Sequence, residues 1–331
     1  MSANADRDGP WMTDVMKPLV SILTLTYNHE RYIERCIESV LSQTFSNWEM
    51  LIVDDGSQDE TCERIKRYRD SRIVLIRQEN VGLWRMRESY ARALAVARGA
   101  LIAILDGDDW WPPAKLEIQC PAFEDDTIVM SFGAVELYDG KTRFLSRHRP
   151  PQSLLGCTPG AVLIPTILRR QYYPYSVTTM VRKKAIDGLG GFIQPGYLPL
   201  VDIPTWLNVL PKGQCFGFKE LLGFYRIHPS SAVRTNALAV EEGQMRYAIE
   251  YLDANWQSIE LTDRDGPSLR KELESQHHHI RAVRYIQQRD YYRAISHLKN
   301  SIAYGGLIRK VKSFMRLAQI GVLVCRQHLP R

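Results

Sequence analysis

The chain has 331 residues, 45% of them apolar and 10% aromatic, and a net charge of +6. That is enough for one large domain with an appendage, or two domains, around a sizeable core, and it excludes a disordered chain. The six cysteines, at 36, 62, 120, 157, 215 and 325, show no C-x-x-C pairing, which argues against a zinc site or a disulfide framework and for a reducing compartment.

Residues 1–17 mix Asp6, Arg7 and Asp8 with polar residues and hold no apolar core of signal-peptide length, so they read as a flexible tail. No apolar run approaches the roughly 18 residues that suggest a spanning helix. The charge is uneven. From Arg264 to Arg331 there are 14 Lys and Arg against 4 Asp and Glu, a net +10, which leaves −4 for the rest of the chain. A mildly acidic body with a basic tail suits an anionic partner. No nucleic-acid-binding motif accompanies the tail, so a membrane surface is the expected partner and nucleic acid is not.

Leu19 to Leu25 is apolar and β-rich, a first strand ending in Thr26-Tyr27-Asn28. Ile33, Ile37, Val40 and Leu41 recur at helical spacing, with Asn28 placed to cap that helix. Trp48 to Val53 is a second strand, running into Asp54-Asp55-Gly56-Ser57. Ser57 and Glu60 have capping-box spacing, so a helix is expected there. Ile73 to Ile76 is a third strand. Met86, Tyr90, Ala93, Leu94 and Ala97 form a helical stripe that Gly99 ends.

The fourth strand, from Ala100, is apolar throughout, as a strand buried on both faces should be. It runs straight into Asp106-Gly107-Asp108-Asp109. Gly107 permits a sharp turn, and Trp110-Trp111-Pro112-Pro113 stops the strand. Three carboxylates in one turn repel one another unless a cation sits among them. Mg²⁺ or Mn²⁺ carrying a diphosphate fits, because these ions take one or two carboxylates plus substrate phosphates.

The β-α-β-α-β-α-β alternation predicts right-handed crossovers and a mostly parallel sheet with helices on both faces. Such sheets bind ligands beyond the carboxyl ends of their strands, where Thr26-Tyr27, Asp54-Asp55 and Asp106, Asp108 and Asp109 all fall. Neither G-x-G-x-x-G nor a P-loop is present, so metal must hold the nucleotide phosphates. A tyrosine at a strand end stacks on a base, and a carboxylate such as Asp55 accepts a base or ribose hydrogen. The bland alternatives are a packing ring for Tyr27 and a turn and helix-dipole role for Asp54 and Asp55.

These residues carry a resemblance. Pro18 to Asn28, Ser39 to Phe45 and Val53 to Asp59 look like the opening of a family-2 glycosyltransferase. Leu105 to Glu117 is similar to that family's aspartate motif and the segment after it. The resemblance covers about residues 18–119. It implies the type-A glycosyltransferase fold, Rossmann-like, here with a C-terminal α-helical extension. It also implies a nucleotide-sugar donor, UDP by preference, a Mn²⁺ or Mg²⁺ ion and inversion at the anomeric carbon. Carried over, Tyr27, after Thr26, contacts the base, and Asp55, after Asp54, binds uracil or ribose. Asp106, with Gly107, and Asp108 lie along the diphosphate. Asp106, Asp108 and Asp109 surround the metal.

Where the family has Ala-Arg-Asn in the helix before the aspartate strand, this chain has Ser89-Tyr90-Ala91, leaving Arg85 or Arg87 as the substitute contact. Gly190-Gly191-Phe192, Asp202, Trp206 and Leu207 match a later motif, with Val201 in place of its first acid. Asp202 is then the expected catalytic base, its alternative being a helix cap. Tyr225-Arg226-Ile227-His228 resembles a late family segment, and His228 is expected to complete the metal or diphosphate site.

Asp125 to Leu137 and Tyr175 to Val181 read as strands, and Arg143 to Leu168, rich in Pro and turn residues, as loop. From Leu238 on the pattern is helical, with one tetratricopeptide-like hairpin marked by Ala282, Ile286, Tyr291, Ala294, Ile295, Leu298 and Ile302. His277-His278-His279 reads as a solvated stretch. The last helix, about Leu307 to Cys325, puts Ile308, Val311, Met315 and Val322 on one side and Arg309, Lys312, Arg316 and Gln319 on another. It suits an anionic membrane surface or docking on the body. The expected organisation is a tail (1–17), a catalytic domain (18–232, with a nucleotide-sugar half to 119 and an acceptor half after it) and a helical region (233–331). The expected activity is transfer from a nucleotide-sugar to a glycan or lipid-linked acceptor, in the cytoplasm or on the inner face of its membrane. The rivals are a nucleotidyltransferase and a catalytically silent scaffold.

Overall fold

The computed structural model describes residues 19–256, 265–305, 310 and 312–320. The strands are β1 (Val20–Thr26), β2 (Trp48–Asp54), β3 (Ile73–Arg77), β4 (Leu101–Ile104), β5 (Ile128–Asp139), β6 (Phe144–His148), β7 (Gly156–Pro159), β8 (Met180–Arg182) and β9 (Gln214–Ile227). They form one sheet in the order β3-β2-β1-β4-β8-β5-β9-β7, with β6 paired to β5. The first four are parallel, and β8 enters antiparallel between β4 and β5. The sheet is therefore mixed, with the expected parallel block at one end.

The helices are α1 (Ile33–Leu41), α2 (Thr61–Ile65), α3 (Met86–Val96), α4 (Lys115–Gln119), α5 (Gly160–Leu168), α6 (Lys183–Asp187), α7 (Asp202–Val209), α8 (Ala232–Thr235), α9 (Ala237–Asn255), α10 (Asp265–Gln287) and α11 (Tyr291–Tyr304). Alternate residues of the buried strands feed two cores, as the two-residue period requires. Val20, Ile22, Met50, Ile52, Leu101 and Ala103 pack with α1, α2 and α4 on one face. Leu23, Leu51, Val53, Ile102 and Ile104 pack with α3, α5, α7, α9 and α10 on the other. Coverage on both faces explains why the central strands are apolar throughout rather than alternating.

Several local expectations are corrected. Residues 143–168 are not loop. They hold β6, β7 and α5, with Pro165 inside the helix. Proline in a buried apolar segment hid that helix. Residues 175–181 are mostly a 3₁₀ turn at Ser176–Thr178, with β8 shortened to Met180–Arg182. Asn28 does not cap α1. The N-cap is Tyr32, and the Asn28 Oδ1 accepts the Gln58 N–H at 2.8 Å, tying two strand-end loops together. Ser57 and Glu60 do not form a capping box either. Ser57 Oγ accepts the Asn28 N–H, and the Thr61 N–H goes to Asp59 Oδ1. The α3 helix stops before Gly99, which is needed for another reason: a Cβ there would lie 2.5 Å from the Ser21 amide nitrogen.

The α10–α11 hairpin forms as expected, around Ala282, Ala294 and Leu298. The histidine tract is not solvated. Helix α10 packs between α9 and α11, which buries His279 and half-buries His277 and His278. His278 Nδ1 lies 2.8 Å from His297 Nδ1, and His279 Nδ1 lies 3.0 Å from Ser313 Oγ. Burial pushes His277 and His297 down to about 4. Residues 312–320 are helical. Ile320 and Leu317 pack on the hairpin, while Met315, expected on the apolar side with Ile308, Val311 and Val322, is exposed beside Phe314. Ile308, Arg309, Val311, Val322 and Cys325 lie outside the described residues. Among the described residues, no helix is long and apolar enough to cross a membrane.

Candidate active site

The acidic turn is stitched between two strands that are distant in sequence. The Leu105 and Gly107 amides donate to Leu23 and Leu25 carbonyls of β1, and the Asp109 amide donates back to Asp106. Trp110 exchanges both backbone hydrogen bonds with Phe224 of β9. Gly107 is required because a Cβ would sit 2.7 Å from Thr26 Oγ1 and 2.9 Å from His29 Nδ1.

The four acids have different surroundings. Asp106 accepts the Tyr90 hydroxyl at 3.2 Å. Burial, then the Asp108 charge, pushes Asp106 up to about 7, and the Asp202 charge adds to this. Asp108 Oδ2 lies 3.0 Å from His228 Nε2, and the other nitrogen of that ring, Nδ1, meets Ser230 Oγ at 2.9 Å. Asp109 is buried and accepts the Arg226 N–H at 2.8 Å, while Arg226 Nε donates to the Asp108 carbonyl. Burial and the neighbouring Asp108 charge push the Asp109 pKa up. The Arg226 guanidinium lies 4.6 Å from the ring centres of both Tyr32 and Trp110, which fixes this clamp.

Asp202 is the first residue of α7, after Val201 as N-cap. Its Oδ2 accepts the Tyr173 hydroxyl and the Ser176 hydroxyl, and its Oδ1 accepts the Ile203 N–H at 2.9 Å. Burial raises its pKa against the pull of these three donors. A carboxylate so raised and so held suits a base with a fixed orientation.

Beyond the carboxyl end of β2, Asp55 Oδ1 accepts Gln78 Nε2 and the Val81 N–H, and Oδ2 accepts the Gly82 N–H. An ionised carboxylate offers about four acceptor sites, so about one stays open. Asp54 is buried, with Oδ2 accepting the Ser57 N–H and Oδ1 unpartnered. Tyr27 is half-exposed at the end of β1. Thr26 is buried, and its Oγ1 has no partner. Arg85 is turned outward onto Glu88 through two 2.7 Å bonds. Arg87 is exposed and offers its backbone N–H to Gln194. Tyr90, buried and stacked on Phe192, is the residue of α3 that reaches the acidic turn.

His29 was not foreseen. It follows Asn28, whose backbone sits at φ +54°, and it comes together with Asp108 and His228 so that one donor atom from each lies within 4.8 Å of the others. Its Nδ1 is buried without a partner. The available signal was a histidine one residue beyond a strand-end motif. Tyr90, Tyr173, Ser176 and Arg226 were also given no role, because their contacts join segments 16 to 118 residues apart. The donor set fits a divalent cation. Raised carboxylates crowd one turn, and two imidazoles lie beside it, one with an unpaired nitrogen.

Comparison with known proteins agrees with this architecture. The family model described as "Glycosyl transferase family 2" matches residues 21–187. The putative teichuronic acid biosynthesis glycosyltransferase TuaG of Bacillus subtilis is 33% identical over 250 residues, 72% of this chain and 93% of that protein. The Escherichia coli UDP-Glc:alpha-D-GlcNAc-diphosphoundecaprenol beta-1,3-glucosyltransferase WfaP is 31% identical over 217 residues, 64% of this chain and 79% of that one. The crystal structure of S. aureus TarS 1-349 in complex with UDP superposes with a TM-score of 0.60 at 16% identity, covering 86% of this chain and 80% of that one. That likeness shows the type-A glycosyltransferase fold. With the mixed sheet, the aspartate turn at its carboxyl edge and these matches, the chain belongs to glycosyl transferase family 2.

Proposed function

We propose that the protein transfers a sugar from a UDP-sugar to a hydroxyl of a glycan or lipid-linked acceptor, with inversion, in surface polysaccharide assembly. The observation that carries this is the convergence of Asp106 and Asp108, beyond β4, with Asp202 at the start of α7, and with Asp55 beyond β2 in the same parallel block. Asp202, held by Tyr173 and Ser176, takes the proton from the acceptor hydroxyl as that oxygen attacks the anomeric carbon from the side opposite the nucleotide. Asp55 and Tyr27 orient the base and ribose. Asp108 and His228, beside Asp106 and Asp109, would hold the divalent ion, which when bound would offset the charge of the departing diphosphate. Lipid-linked acceptors enter by analogy with the relatives' names.

The test is an assay with UDP-glucose or UDP-N-acetylglucosamine, Mn²⁺ and a lipid-diphosphate-linked N-acetylglucosamine acceptor. Release of UDP is expected, with a product of inverted anomeric configuration by NMR. Pyrophosphate release would favour the nucleotidyltransferase, and nucleotide binding without any turnover would favour a silent scaffold.

We also propose that the enzyme binds peripherally to the cytoplasmic face of an anionic membrane. The support is the exposed Phe314 and Met315 next to Lys310, Lys312 and Arg316 on a helix that keeps Leu317 and Ile320 for the body. Basic residues near an anionic surface contribute about 1 kcal/mol each. Reversing Lys310 and Lys312 to Glu is expected to cut co-sedimentation with phosphatidylserine vesicles by at least about tenfold at low salt. Equal pelleting of both proteins would overturn this.

A further inference from the structure

We infer that His29 is a third protein ligand of the divalent ion and that, with His228, it selects a transition-metal ion over Mg²⁺. The inference rests on the metal role proposed above for Asp108 and His228 and adds to it a residue from the loop between β1 and α1.

Three observations carry it. First, the donor atoms of His29, Asp108 and His228 all lie within 4.8 Å of one another. Asp108 Oδ2 and His228 Nε2, at 3.0 Å, are already at the separation of two adjacent ligands on an ion with bonds of about 2.1 Å. Opposed ligands lie about 4.2 Å apart on the same bond length, so His29 fits opposite one of the two and beside the other once the group tightens around the ion. Second, His29 Nδ1 is buried and has no hydrogen-bond partner. A shielded imidazole nitrogen left unpaired is unfavourable, and a bound ion would give the ring a partner. Third, the residue opposite the ring is Gly107, where a Cβ would come within 2.9 Å of that nitrogen. The Nδ1 side of the ring therefore borders the acidic turn, which only a glycine at 107 lets come so close.

His228 is prepared in the usual manner of an imidazole ligand. Ser230 Oγ engages its Nδ1 at 2.9 Å, leaving Nε2 directed at Asp108. His29 sits at the carboxyl end of β1, just after Asn28 at φ +54°, so a strand-end loop fixes where the ring stands. The result is two nitrogen donors and one carboxylate. In a six-coordinate ion this leaves about three positions for diphosphate oxygens or water. Mg²⁺ holds to oxygen donors and parts reluctantly with water, whereas imidazole favours the later divalent ions, with Mn²⁺ above Mg²⁺. The two histidines thus supply a preference that the aspartates alone do not.

The experiment uses the full chain, with Mn²⁺ as the probe and Mg²⁺ as competitor. Electron paramagnetic resonance counts free Mn²⁺, and pulsed measurements count imidazole nitrogens coupled to the bound ion. Two coupled nitrogens are expected in the wild type and one in His29→Ala. The Mn²⁺ affinity of the variant should fall by at least about tenfold, with Mg²⁺ affinity little changed. His29→Gln, which keeps a polar side chain in place, should behave as His29→Ala, and thermal melts show that both remain folded. A single coupled nitrogen in the wild type, or unchanged Mn²⁺ affinity in the variants, overturns the role of His29 while leaving Asp108 and His228 as ligands. Absence of Mn²⁺ binding to the wild type overturns both.

Discussion

Asp202→Asn is expected to lower turnover by about 10²- to 10⁴-fold, the range for loss of a general base. Nucleotide affinity should barely move. The amide keeps one oxygen to accept the Tyr173 and Ser176 hydroxyls and gives up only the bond from the Ile203 N–H, so two of the three ties at the start of α7 remain. Steady-state kinetics and calorimetry with UDP separate the two effects: kcat falls and the UDP Kd does not. Because burial raises the Asp202 pKa, the acid limb of the wild-type pH–rate profile should lie above the ordinary carboxylate range. The sign follows from the role, since only the ionised carboxylate accepts a proton and activity is lost as pH falls through that pKa. In the variant this limb should vanish from the residual rate. If UDP binding disappears together with activity, Asp202 is a binding or structural residue and the base lies elsewhere.

Asp108→Ala should be as damaging by a different route. The carboxylate is the shared partner of the His228 ring and the proposed ion. An ion at a departing diphosphate is worth several kcal/mol, and each 1.36 kcal/mol is tenfold, so a loss of at least about 10²- to 10³-fold is expected. His228 is buried and loses its 3.0 Å partner. An unpaired buried group costs about 1–3 kcal/mol, so a melting point a few degrees lower is expected with circular dichroism otherwise unchanged. Turnover near the wild-type rate with Mn²⁺ saturating would remove Asp108 from the ion site.

Much of the fold was legible because it is written in local pattern. The strand from Leu101 to Ile104 is apolar throughout because helices cover both faces of the sheet, and the strand ends abruptly at Asp106. The β1, β2 and β3 segments were found within a residue or so at each end for the same reason. Segments whose form depends on distant partners were misread. The α5 helix carries Pro165 and is held by burial rather than propensity. The His277–His279 tract looks polar, yet packing between helices buries His279 and half-buries the other two. In the last helix Ser313, Leu317 and Ile320 face the hairpin, while Met315, grouped with the apolar side, is exposed.

The sequence alone determined the parallel αβ block and the carboxylates at its edge, because strand burial and strand ends depend on near neighbours in the chain. Tertiary structure decided how those carboxylates are used. His228 reaches Asp108 across 120 residues, and Tyr173 reaches Asp202 across 29. His29 joins them because β1 and β4 are adjacent and parallel, which brings their carboxyl ends together. No local periodicity encodes such meetings. They follow from sheet order and register, which bring strand ends that are distant in sequence to within a few ångströms, and there a lone histidine meets one carboxylate and a tyrosine anchors another.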